Sequence, residues 1–204
     1  MESEMLKIFD PQGTCLGKAT RHEAHKAGHW HETFHCWFTE RINGKDFLYF
    51  QIRSSVKKDY PDLLDITAAG HLLADEIPVD GLREVKEELG IDLAFEDLHT
   101  LGTIHDTLVS PGFIDRELCH VYLYKEHQPF ENFRLQKEEV SGIMTTSLSD
   151  FEALWFANRK ITVKGFQAGE NGEKKLHEMQ VAKKDFVPHE DDYIQRVIHG
   201  IRNS

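Results

Sequence analysis

The chain has 204 residues, 40% hydrophobic and 29% charged, which suits one well-packed domain of ordinary soluble composition. Its formal net charge of −11 argues against a nucleic-acid backbone as the main partner, since such binding rests on a basic surface. No window approaches the ~18–20 consecutive apolar residues of a membrane span, and the opening MESEMLKIFD lacks the basic-then-apolar pattern of a signal peptide. Cys15, Cys36 and Cys119 have no paired spacing, so they are expected to be reduced, in a cytoplasmic protein.

Met5 to Arg21 reads as a β-hairpin, with two short apolar runs flanking the turn Asp10-Pro11-Gln12-Gly13. A run carrying His22, His25, His29, His31 and His35 then leads into an aromatic-rich strand, Thr33 to Thr39. Asn43-Gly44 is the strongest short hairpin signal in the chain, and Asp46 to Arg53 is the returning strand. Ser54 to Asp62 is a polar loop, and Leu64 to Ala69 is a short apolar strand. A loop and a helix follow, with Gly90 as the C-cap. Leu98 to Val109 and Glu117 to Tyr124 read as strands around the turn Ser110-Pro111-Gly112. Gln136 to Gly142 is an acidic connection and Ile143 to Leu148 a strand. Ser149-Asp150-Phe151-Glu152 is a capping box opening a helix to about Asn158. Two strands, Ile161 to Gln167 and Leu176 to Ala182, flank a turn at Gly169 to Glu173, and Pro188 to Arg202 closes the chain as a helix. Mixed strands with few helices suit an α+β sandwich. One domain over 1–204 is expected, with residues 159–204 as a C-terminal extension in which a hairpin and a helix are appended.

The stretch Gly70 to Ile91 carries the chemistry. Arg83, Glu84, Glu87, Glu88 and Gly90 form R-E-x-x-E-E-x-G. On a helix the three glutamates share one face, within a fan of about 100° at 3.6 residues per turn, while Leu82, Val85 and Leu89 face the other side. Same-face carboxylates repel, and a divalent cation turns that cost into a site. Mg²⁺ is the natural candidate, because it takes hard oxygen ligands and keeps waters that a phosphate can replace.

This stretch resembles the Nudix box, G-x5-E-x7-R-E-U-x-E-E-x-G-U, where U is a bulky aliphatic residue. Gly70 and Glu76 match the opening, and Arg83, Glu84, Val85, Glu87, Glu88, Gly90 and Ile91 match the close. Six residues, not seven, separate Glu76 from Arg83. The missing one falls around Pro78 to Gly81, where it bears on the Glu76–Arg83 pairing and the helix start rather than on the carboxylate spacing. The resemblance implies an α/β/α sandwich around a mixed sheet and the cleavage of a small-molecule diphosphate with Mg²⁺ or Mn²⁺. It implies Glu84, Glu87 and Glu88 as metal carboxylates, with Glu87 or Glu88 assisting water deprotonation. Gly70, Glu76 and Arg83 take structural roles. Glu138 or Glu139 is a candidate for one more contact.

From about Lys7 to Leu154 the chain also resembles isopentenyl-diphosphate isomerase, a divergent Nudix relative. The landmarks are the early hairpin, Ala24-His25, His31 five residues before Cys36-Trp37, the Lys57-Lys58 loop, Gly70-His71, and Asp115-x-Glu117 leading into a Leu-Cys strand. This resemblance implies a second metal set of His25, His31, His71, Asp115 and Glu117, with donors suited to Mn²⁺, Zn²⁺ or Fe²⁺. The isomerase's cysteine before Gly-His is Ala69 here, whose methyl group moves no proton. A hydrolase of a nucleoside diphosphate or related compound is therefore the leading expectation. The alternatives are an isomerase-like enzyme and a non-catalytic ligand sensor. Arg53 and Lys57 are candidate diphosphate-binding residues. Tyr60, Trp30, Trp37 and Phe113 are given no role.

Overall fold

The computed structural model describes residues 3–169 and 171–204. The chain opens with the expected hairpin, β1 (Met5–Phe9) and β2 (Cys15–Thr20). The Asp10 carboxylate closes its turn by accepting from the backbone of Gln12 and Thr14 at 2.9 and 2.8 Å. The histidine run is not a plain lead-in to a strand. It holds a helix, α1 (Arg21–Ala27), set by a capping box in which Thr20 Oγ1 accepts from Glu23 N and the Glu23 carboxylate accepts from Thr20 N.

Strand β3 (Trp30–Ile42) is longer than the expected Thr33–Thr39, and it turns at Asn43-Gly44, both with positive φ, into β4 (Lys45–Arg53). The expected strand Leu64–Ala69 is two strands. β5 (Leu64–Ile66) pairs with β4, and β6 (Ala68–His71) pairs with β3. The break is at Thr67, whose hydroxyl donates to Tyr49 O at 2.6 Å and accepts from Phe38 N at 3.0 Å. A 3₁₀ turn, Pro78–Gly81, then feeds α2 (Leu82–Leu89), which ends on Gly90 in the left-handed conformation.

β7 (Leu98–Ser110) and β8 (Phe113–Tyr124) form a long hairpin, and β8 lies parallel to β3 from Trp30 to Phe38. β9 (Val140–Ser147) starts inside the expected acidic connection. The cap of α3 (Leu148–Ala157) is Ser147 rather than Ser149, and its side chain accepts from Asp150 N. β10 (Ile161–Ala168) and β11 (Lys174–Val181) are the expected hairpin, although Glu170 of the turn lies outside the described residues. The closing helix α4 (Asp191–Asn203) begins three residues after Pro188.

The main sheet runs β11-β10-β9-β4-β3-β1-β2, with β8 on β3 and β7 on β8. Alternation along β3 builds both layers. Phe34, Cys36 and Phe38 join Val85 and Leu89 of α2 in one core. Trp37, with Leu48 and Phe50 of β4, joins Phe151, Leu154, Tyr193 and Val197 of α3 and α4 in the other. Helices thus cover both faces, as an α/β/α sandwich requires. The C-terminal hairpin extends the sheet through β9, and α4 packs into the second core. Each fully buried large apolar side chain contributes about 1.5–3 kcal/mol there. Among the described residues no helix is long and apolar enough to cross a membrane.

Candidate metal centres and active site

The glutamates stand on α2, whose apolar face is pinned by Val85 and Leu89. The short box loop is absorbed by the 3₁₀ turn, where Asp80 Oδ2 accepts from Ile77 N at 2.9 Å. The pairing of Glu76 with Arg83 forms regardless. Arg83 Nε donates to Glu76 Oε1 at 2.7 Å, and one guanidinium NH₂ reaches Glu76 Oε2 at 3.1 Å and His71 O at 2.9 Å. The other donates to Glu84 Oε1 at 2.6 Å and lies 3.7 Å from Glu87 Oε2. Arg83 therefore ties the loop, strand β6 and the helix together.

The three carboxylates differ. Glu88 is buried, Glu84 nearly so, and Glu87 has 57% of its side chain exposed. Burial pushes the Glu84 carboxyl up to about 7, against the pull of Arg83. Burial, with Glu84 as neighbour, pushes Glu88 up to about 8, against the pull of Lys57. Beside Glu88, the Gln51 side-chain oxygen is buried with no hydrogen-bond partner. Two strained acids and an orphan oxygen are a donor set that a hard divalent cation fits. The three glutamates do not form a tight cage: among the described residues, the two groups of three or more ligand atoms that lie within 4.8 Å of one another are built from other side chains.

The first of those groups is His25, His31, His71 and Asp115. His25 comes from α1, His31 from β3, His71 from β6 and Asp115 from β8. His31 Nε2 is 3.0 Å and His25 Nε2 3.4 Å from Asp115 Oδ1, and His25 and His71 present their Nε2 atoms to each other at 3.2 Å. The Nδ1 of His31 lies 3.0 Å from His29 O, so it carries the hydrogen and leaves the Nε2 lone pair for a ligand. That Nε2 and Asp115 Oδ1 are both buried and face each other at 3.0 Å. Burial and the nearby cations hold His71 well below the usual imidazole range, hence neutral. Burial would raise Asp115, but its hydrogen bonds to His25 and His31 hold it well below the carboxylate range. His31, by contrast, is raised above the usual imidazole range, where its contact with Asp115 outweighs burial. Three imidazoles and a carboxylate are a donor set that a divalent transition metal fits.

Glu117, expected in this set, lies outside it. Side chains two apart on a strand share a face but stand about 6–7 Å apart. Asp115 therefore meets His25 and His31, while Glu117 reaches His35 Nε2 at 3.3 Å and accepts from Cys119 Sγ at 3.6 Å. Together His35, Glu117 and Cys119 are the second group.

Arg53 and Lys57 are turned to other partners. Arg53 donates to the carbonyls of Asp59 and Tyr60 and, at 2.8 Å, to Asp65 Oδ2. Lys57 pairs with Glu139. The sequence reading missed the partner beyond Asp65. His189 sits between Asp65, at 2.9 Å, and Asp106, at 2.6 Å. Burial opposes its charge, but the two carboxylates win and raise it to about 10, which makes it a buried imidazolium. Pairings across 124 and 83 residues leave no local pattern to read.

A Nudix domain model matches residues 29–164. The chain is 37% identical over 204 residues to an uncharacterised Nudix hydrolase of Clostridium acetobutylicum, covering 98% of each chain. It is 30% identical over 160 residues to the isopentenyl-diphosphate Delta-isomerase of Aliivibrio fischeri, covering 76% of this chain and 87% of the relative. The structure of DR0079 from Deinococcus radiodurans aligns with a TM-score of 0.54 at 18% identity over 74% of this chain and 90% of that one, a likeness of fold. With the Nudix match spanning two thirds of its length and the box residues assembled around Gly70 and α2, the chain belongs to the Nudix family, as a hydrolase-type member.

Proposed function

We propose that this protein is a metal-dependent hydrolase that cleaves the diphosphate linkage of a nucleoside diphosphate or a related diphosphate compound. The observation that carries the reading is the pair Glu84 and Glu88, each pushed toward neutrality by burial against the pull of Arg83 on the first and of Lys57 and Arg53 on the second. Mg²⁺ or Mn²⁺ bound there supplies charge neutralisation for the phosphates and acidifies a water. Glu84 and Glu88, with Glu87 at the open side, are the proposed ligands. Glu87 or Glu88 takes the proton as the water oxygen bonds to phosphorus and the bridging P–O bond breaks. Arg83 fixes Glu84, and Lys57 with Glu139 borders Glu88. The histidine group is a second centre, for Mn²⁺, Zn²⁺ or Fe²⁺. We place the activity in the cytoplasm, in keeping with three unpaired cysteines.

The isomerase relative brings prenyl diphosphates into the substrate panel, but not the isomerase reaction. At its cysteine position Ala69 packs against the core and offers no proton-transferring group. The test is phosphate release with Mg²⁺ or Mn²⁺ across nucleotides, nucleotide sugars and prenyl diphosphates. Glu87→Gln and Glu88→Gln serve as controls, and turnover that survives both sinks the assigned roles. Deuterium uptake from solvent into isopentenyl diphosphate would favour the isomerase instead.

A further inference from the structure

Gln51 lies on β4, paired with Asp65 of β5 on one side and Ile143 of β9 on the other. Its neighbours in the strand settle which way it points. Phe50 and Ile52 enter the core under α3 and α4, while Tyr49 enters the core under α2. Alternation along the strand therefore sends Gln51 to the α2 side, where its amide nitrogen meets Glu88 Oε2 at 3.5 Å. The residue is 1% exposed.

An amide in that place is a burden on the fold. Phe34, Cys36, Phe38, Tyr49 and Ile143 make the same layer apolar. The contact with Glu88 is at the outer limit of an N–H···O bond. The side-chain oxygen is buried with no hydrogen-bond partner. An unmet buried acceptor costs about 1–3 kcal/mol, and a methionine would fill a similar volume without it. The cations that act on Glu88, Lys57 and Arg53, are turned to Glu139 and to Asp65. A divalent cation meets the need, because side-chain amide oxygens are among the hard ligands such ions take. Two adjacent ligand atoms on a cation, each at roughly 2.0–2.6 Å, stand about 3–4 Å apart. The Gln51 amide already lies at that spacing from Glu88.

We infer that Gln51 is a further ligand of the cation held by Glu84 and Glu88, its side-chain oxygen binding from the sheet while the carboxylates bind from the helix. The inference rests on the metal centre of the hydrolase reading above. It adds a ligand from outside R-E-x-x-E-E-x-G, on a strand residue that stands 37 positions before Glu88. It also gives the buried amide a reason: the same side chain steadies Glu88 through its N–H and meets the cation through its oxygen.

The test titrates Mg²⁺ by calorimetry at pH 8 into the full chain, as wild type, Gln51→Met and Gln51→Glu. Mg²⁺ is the probe because its preference for oxygen ligands keeps it off the histidine group. Gln51→Met should bind Mg²⁺ at least about tenfold more weakly than wild type. Its metal-free melting temperature should not fall, because the deleted oxygen had no partner in the fold. Gln51→Glu restores an oxygen but not the N–H, so it should bind Mg²⁺ more tightly than Gln51→Met while melting lower without metal. Affinity of Gln51→Met within about twofold of wild type overturns the inference. So does a lowered melting temperature in Gln51→Met that accounts for its defect. Gln51→Glu binding as weakly as Gln51→Met overturns it too, since the N–H to Glu88 then carried the effect. The two readings fail separately. Weakened Mg²⁺ binding in Gln51→Met, with no wild-type turnover on any diphosphate compound, supports the ligand and sinks the hydrolase. Wild-type turnover with unchanged Gln51→Met binding does the reverse.

Discussion

Gly70 and Glu84 meet so closely that a Cβ on residue 70 would overlap the Glu84 carboxyl group. The glycine is needed here for proximity rather than for a turn: it lets a helix carboxylate lie against strand β6. Gly70→Ala is expected to displace Glu84 from its contact with Arg83. A misplacement of about 1 Å at a reacting centre costs on the order of 100-fold in rate. Diphosphatase assays should show that loss while circular dichroism reports an intact fold. Wild-type turnover in the Gly70→Ala enzyme would separate Glu84 from the chemistry.

Glu88→Gln removes a carboxylate that the metal-free fold holds at a cost. The metal-free variant should melt higher than wild type at pH 8, by about 2–4 °C for each kcal/mol relieved in a protein of this size. Mn²⁺ should raise the wild-type melting temperature and have a smaller effect on the variant. Equal metal-induced shifts in the two proteins would place the ion elsewhere.

The buried His189 imidazolium makes stability depend on alkaline pH. Its folded value, about 10, lies above the ordinary value of 6.5, so its contribution is complete below about pH 6.5 and is lost as pH rises through 10. Asp65, held low, adds the opposite dependence at acid pH, losing its contribution as pH falls below the usual carboxylate range. Asp106→Asn should cost about 3–5 kcal/mol at neutral pH, because it strips one partner from a buried charge. It should also flatten the loss of stability between pH 7 and 10. Thermal melts across that range check both effects, and a steep alkaline loss retained in the variant would refute the assignment.

At the histidine centre, His71→Ala should weaken Mn²⁺ or Zn²⁺ binding by at least about 100-fold, more than the loss of an outer-shell partner costs. Glu87→Gln, on the exposed side of α2, should leave that site's affinity unchanged. Metal analysis after equilibrium dialysis reads both.

Much of this site was legible because its parts lie close together in the chain. Arg83, Glu84, Glu87, Glu88 and Gly90 fall within one helix and its cap, and 3.6-residue periodicity places them without help from the rest of the fold. Helix α1 was legible too: Thr20-x-x-Glu23 is the same capping signal that pointed to α3, hidden among histidines. At α3 two serines satisfied the pattern, and Ser147 prevailed because β9 ends there. The pairing of Glu117 with His35 and the cage around His189 depend on strand register and on the docking of α4, which no window of sequence contains. The exposure of Glu87 against the burial of Glu88 likewise follows from the neighbours of α2, although adjacent letters in the chain look alike.

Successive residues of β3 and β6 serve opposite faces. Gly70 turns to Glu84 while His71 turns to the histidines, and Phe34 meets the α2 core while His31 and His35 sit behind it. The two centres are thus printed in odd and even positions of the same strands. A single inserted or deleted residue between Trp30 and Trp37 would exchange them, sending imidazoles under α2 and phenyl rings into the histidine group. Strand length before the Cys36-Trp37 pair is therefore as binding a constraint on the proposed chemistry as the identity of any proposed ligand.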